Sequence, residues 1–87
     1  MHISNVKEFF AVLRSGQYTF PGGYPVYFIT KDNQALSFSA AKEHAKIIAR
    51  AIRDNNDSQW QVMGADVNWE DNELKCAHTC ELIETAY

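Results

Sequence analysis

Val26-Tyr27-Phe28-Ile29-Thr30 constrains this chain more than any other run. Five consecutive β-branched or aromatic residues are too short for a helix and too uniformly apolar for a half-exposed strand. They read as a strand buried on both faces. The polar turn Lys31-Asp32-Asn33-Gln34 follows, and Ala35-Leu36-Ser37-Phe38 returns as the hairpin partner, with Leu36 and Phe38 alternating with small or polar residues.

The elements around this hairpin are legible from spacing. Val6, Phe9, Phe10 and Leu13 recur at i, i+3, i+4 and i+7, which predicts an amphipathic helix from about residue 5 to 15. Ser4 serves as its N-cap and Gly16 as its stop. Gln17 to Pro25 is a loop whose Tyr18, Phe20 and Tyr24 fold over the core. Ser39 opens a second helix running to about residue 54, with Ala41, Ala45, Ile48 and Ile52 as its core stripe and His44 and Ala51 at the margin. Lys42, Lys46, Arg50 and Arg53 fall on its solvent side, and Asp54-Asn55-Asn56-Asp57-Ser58 ends it with turn-forming residues.

Trp60 and Val62 alternate with Gln59 and Gln61 as a strand. Gly64 then shifts the apolar parity toward Val67 and Trp69, which predicts a bulge near Gly64. Glu70-Asp71-Asn72-Glu73 is a turn, and Leu74–Cys76 with Leu82–Ala86 is read as a last short hairpin. The sum is one α+β domain spanning residues 1–87: an antiparallel sheet of about four to five strands with two helices packed on one side. One parallel pair is open to the strand that follows the second helix. At 87 residues there is no room for a second core. Phe9, Phe10, Leu13, Phe28, Leu36, Phe38, Ile48, Ile52, Trp60 and Val62 are the expected core.

Composition narrows the function classes. A net charge of −3 argues against a general nucleic-acid binder, although Lys42, Lys46, Arg50 and Arg53 together form a basic face able to meet phosphates. No apolar run approaches the ~20 residues of a bilayer span, and the N-terminus lacks a secretory pattern. Two cysteines are too few for a disulfide scaffold. The expected setting is cytoplasmic, without a membrane and with reduced thiols.

Chemistry-bearing residues concentrate between Asp66 and Tyr87. Cys76-Ala77-His78-Thr79-Cys80 holds ligand types that zinc prefers, but the spacing is C-x3-C and no second pair exists. Asp66, Asn68, Glu70, Asp71 and Glu73 alternate like calcium ligands, without the central glycine or the closing bidentate glutamate. No nucleophile elbow and no phosphate-binding glycine loop occurs. The expectation is a protein that is not an enzyme and uses no cofactor.

Tyr24-Pro25-Val26-Tyr27-Phe28, Ala35-Leu36-Ser37-Phe38, Trp60-Gln61-Val62, Asp66-Val67-Asn68-Trp69-Glu70-Asp71 and Ile83-Glu84-Thr85-Ala86-Tyr87 together resemble small uncharacterised proteins encoded by bacteriophages, prophages and plasmids. The resemblance covers about residues 18 to 87 and implies a setting rather than a mechanism. Some of those proteins look zinc-ribbon-like, with one cysteine pair after the Ala-Leu strand and another near the C-terminus. Ser37 and Ser39 stand where the first pair would be, and Cys76, with His78 and Cys80, matches the second. Two functions follow as expectations. One is a non-enzymatic interaction protein of a mobile genetic element, such as a defence-system inhibitor, binding a host or phage macromolecule. It would engage a protein partner through Trp69, Glu70, Asp71, Glu73 and Tyr24. The alternative is a degenerate zinc-ribbon-like module, binding metal through Cys76, His78 and Cys80 or nucleic acid through Lys42, Lys46, Arg50 and Arg53.

Overall fold

A computed structural model describes residues 2–19, 22–55 and 60–86. Expectations for Phe20, the turn residues Asn56-Asp57-Ser58, Gln59 and Tyr87 lie outside the described residues. The chain runs α1 (Val6–Ser15), β1 (Val26–Thr30), β2 (Ala35–Ser37), α2 (Phe38–Glu43), α3 (Ala45–Asp54) and β3 (Val62–Val67). The α+β class stands.

Helix α1 begins one residue later than the Ser4 cap implies. The Asn5 side chain accepts from the Glu8 N–H at 2.9 Å, satisfying an orphan donor of the first turn. Glu8 reaches back to accept from the Ser4 N–H at 2.9 Å and the Ser4 hydroxyl at 2.5 Å. These two bonds from Ser4 hold the Glu8 carboxyl below its ordinary pKa. The helix ends where expected: Gly16, at φ 96°, donates its N–H to Leu13.

The sheet has the order β2-β1-β3, and both pairs are antiparallel, so the parallel pairing left open does not form. Phe28 opposes Leu36 on one side and Ala65 on the other, which makes the apolar β1 run the central strand. The expected bulge is present: Ile29 pairs with Gly64 and Thr30 with Val62, leaving Met63 as the extra residue. At the far end of the hairpin, Thr30 is fully buried. Its hydroxyl donates to the Asp32 carboxylate and accepts from the Gln34 N–H at 3.1 Å, while Asn33 takes the left-handed turn position at φ 63°.

The described residues contain three strands rather than four or five. The last hairpin reduces to a single bridge, Lys75↔Leu82, flanked by the cross-strand bonds from Cys76 N–H to Glu81 and from Ile83 N–H to Leu74. Beyond it, Ala77 N–H reaches the Ala35 carbonyl on the open edge of β2. The opposite edge, β3, is met by the N-terminal segment, where His2 bridges Gly64 and Ile3 N–H bonds Met63. Both sheet edges are thus partly occupied by the chain's own ends, which limits strand-to-strand association.

Three helices replace the expected two. Phe38 belongs to α2 and not to the strand, because the Ser37 hydroxyl, rather than Ser39, accepts from the Ala40 N–H at 3.2 Å. His44 breaks the long helix into α2 and α3. On one face of the sheet Phe28 contacts Phe9 edge-on, with ring centroids 5.4 Å apart, and stacks on Phe38 at 5.8 Å. Phe9, Phe28, Ile48 and Val62 are fully buried, and Val12, Ala51, Ala65, Cys76 and Ile83 join them. Trp60 was expected in the strand and among the core residues. It precedes β3, is only half-buried, and packs at the core's margin against His44 and His78.

Candidate functional site

Of Val67-Asn68-Trp69, where β3 ends, the residue buried most deeply is the polar one. Asn68 is 3% exposed. An amide cannot be buried at that depth without partners, and Asn68 has four. Its Nδ2 lies within hydrogen-bonding distance of the carbonyls of Asp71 (3.1 Å), Ile83 (3.2 Å) and Glu84 (3.2 Å). Its Oδ1 accepts from the Asp71 N–H at 3.2 Å. The backbone adds Asn68 N–H to Pro25 and Ala86 N–H to Asn68. One side chain therefore ties the acidic turn to the C-terminal segment and, through the backbone, to the start of β1.

Trp69 consequently points outward. It is 47% exposed, and its ring lies against Tyr24 with centroids 4.6 Å apart. The Tyr24 ring is placed by a close backbone approach. Gly22 has φ +114°, a conformation that favours glycine, and a Cβ there would sit 2.6 Å from Tyr24 Cε2 and push the ring from its present place. Thr19 fixes the loop by accepting the Tyr24 N–H on its hydroxyl at 3.0 Å and donating its own N–H to the Tyr24 carbonyl at 2.9 Å. The Glu84 carboxylate beside Tyr18 raises its phenol pKa.

Glu70, Asp71 and Glu73 are all exposed beside this aromatic pair. Asp71 is also structural, since its carboxylate accepts the Glu73 N–H at 3.1 Å. Tyr27, beneath the turn, has its phenol raised by burial and then by the charges of Asp66 and Asp71. Of the five residues assigned to partner binding, Trp69 and Tyr24 touch, and Glu70, Asp71 and Glu73 follow in the turn, all exposed; we term this stretch the Trp69 ridge. Asn68 and Gly22, which build it, were missed as functional determinants. The proximity of Gly22 to an aromatic was the only sequence signal for either.

The residues assigned to metal do not converge. Cys76 is buried, Cys80 is exposed, and both are free thiols. His78 turns toward His44 and Trp60, with ring centroids 4.7 and 4.9 Å away. Among the described residues no three His, Cys, Asp or Glu side chains are placed to share a metal ion. Cys76 does lie against Ser37. Burial pushes its thiol pKa up, but bonds from the Ser37 and Thr79 backbone, the Thr79 hydroxyl and the His78 backbone more than offset this, bringing it down to about 7. The Ser37 hydroxyl itself is committed to capping α2.

Lys42, Lys46, Arg50 and Arg53 are exposed as expected. Arg53 makes one solvent-facing ion pair with Asp54 at 3.5 Å, of the kind that contributes little. Lys46, Arg50 and Arg53 line a groove of about 720 Å³ between α3 and the start of α1, and Lys42 stays outside it. No helix among the described residues is long and apolar enough to cross a membrane. No family model matches the chain, and neither a curated protein nor a solved structure matches it.

Proposed function

We propose that this chain is a non-enzymatic interaction protein of a mobile genetic element that docks on a basic surface of a host or phage macromolecule through the Trp69 ridge. The observation that carries this reading is a half-exposed tryptophan held in place from two directions: Asn68 fixes its backbone and the Tyr24 ring supports its face. Large aromatics that present area with little freedom to lose are the usual anchors of protein interfaces. Glu70, Asp71 and Glu73 supply a charged rim that steers a cationic partner and weakens with salt. The mobile-element setting rests on the sequence resemblance, and inhibition of a defence system is one role that fits it.

The test is capture from host extract with tagged wild-type protein, Trp69→Ala, and the double variant Glu70→Lys/Glu73→Lys. Asp71 is left intact because it builds the turn. All three proteins should melt alike, since the altered side chains are exposed. The protein recovered by wild type should be lost with Trp69→Ala, and lost with the double variant most completely at low salt. Unchanged recovery by both variants would remove the ridge from consideration.

A further inference from the structure

The groove between α1 and α3 carries a charge opposite to that of the ridge and shares no residue with it. It is lined by exposed Lys7 from α1 and exposed Lys46, Arg50 and Arg53 from α3, with half-buried Val6, Phe10, Ala49 and Ile52 lying deeper between them. Four of the chain's eight basic residues are gathered here; the acidic groups at its border are Asp54, ion-paired with Arg53, and Glu8, bonded to Ser4, which leaves Lys7, Lys46 and Arg50 as its main cations. On α3 the lining positions 46, 49, 50 and 53 fall at i, i+3, i+4 and i+7, so one helical stripe carries three cations and Ala49, with Ile52 beside it. Each bordering helix has ten residues, about 15 Å of length.

We propose that this groove receives an acidic amphipathic helix from a protein partner, with apolar side chains on its floor and Asp or Glu reaching the cationic walls. Two features select this occupant over a phosphate backbone. The recessed floor is aliphatic and aromatic, so apolar side chains gain by covering it whereas hydrated phosphates gain nothing. The whole molecule is net negative, so a long polyanion is repelled beyond the groove, while a short acidic segment meets mainly the local cations. Two to three helical turns match the length of the bordering helices.

The probe is a labelled peptide of about 14 residues, roughly four turns, with Leu at i, i+3, i+4 and i+7 and Glu flanking them. Binding is followed by fluorescence anisotropy. Controls are the same peptide with Lys in place of Glu, the same peptide with Ser in place of Leu, and a short DNA duplex. The acidic Leu peptide should bind with a dissociation constant of about 1–100 μM, and both control peptides at least tenfold more weakly. Lys46→Glu/Arg50→Glu on one wall, and Lys7→Glu on the other, should each weaken binding at least tenfold while leaving the melting temperature unchanged. Equal binding of the Ser-substituted peptide, no effect of either charge reversal, or tighter binding of the duplex than of the acidic peptide would each overturn the proposal. The last result would identify the groove as a phosphate-binding surface.

Discussion

Replacing Asn68 with alanine isolates the side chain on which the ridge depends. The change deletes four polar contacts, three of them shared by the two amide N–H groups and one of those, to the Ile83 carbonyl, wholly buried. That carbonyl is left without its partner, at a cost of about 1–3 kcal/mol. The other three contacts are part-buried and water replaces them partly, so about 0.5 kcal/mol each is appropriate. The total is about 3 kcal/mol, a large fraction of the ~4–13 kcal/mol expected of a domain this size. At ~4–8 °C per kcal/mol, the melting temperature should fall by roughly 12–24 °C. Asn68→Asp keeps the volume but turns a donor toward three carbonyls into an acceptor, so at neutral pH it should destabilise more than alanine. The sign of its pH dependence follows from that repulsion. The introduced carboxyl has a folded pKa above its unfolded value of about 3.9, so its penalty is absent below that value and grows as pH rises through it. Thermal melts of both variants at pH 4 and pH 7, with amide exchange at Ala86, provide the assay. A fall under about 4 °C for alanine, with Ala86 still protected, would refute the assignment of Asn68 as the clamp. So would an aspartate variant no worse at pH 7 than at pH 4.

Phe28→Ala should cost about 3–5 kcal/mol because it empties the centre of the Phe9–Phe28–Phe38 cluster, whereas half-buried Trp60→Ala should cost less than half as much; urea titrations giving equal losses would show that the core is misassigned. Cys76, with its thiol lowered to about 7, contributes stability that is fully present above its unfolded pKa and is lost as pH falls through 7. In a Cys80→Ser background thiolate absorbance should therefore rise with a midpoint near 7, and a midpoint at the ordinary thiol value would show that the Ser37, His78 and Thr79 groups do not hold the thiolate.

Much of the architecture is written locally. The apolar run Val26–Thr30 became the central strand, Gly16 ended α1, and the parity change at Gly64 marked a real bulge. Each is a short-range signal, because period, left-handed backbone and strand register are properties of a few neighbouring residues. The solvent side of α3, with Lys42, Lys46, Arg50 and Arg53 exposed, was legible for the same reason. Tertiary structure decided what neighbouring residues cannot encode. His44 sits where the long helix divides, and its ring meets Trp60 and His78, which come from remote segments. Lys7 and Phe10 line one groove with Lys46 and Arg50 only because α1 packs against α3. Trp69 was the aromatic and Asn68 the polar residue, so composition favoured the opposite burial. Burying an amide is costly unless its partners are present, and here the carbonyls of Asp71, Ile83 and Glu84 meet it only once the C-terminal segment has folded back. That long-range satisfaction turns Asn68 inward and leaves Trp69 exposed at the surface.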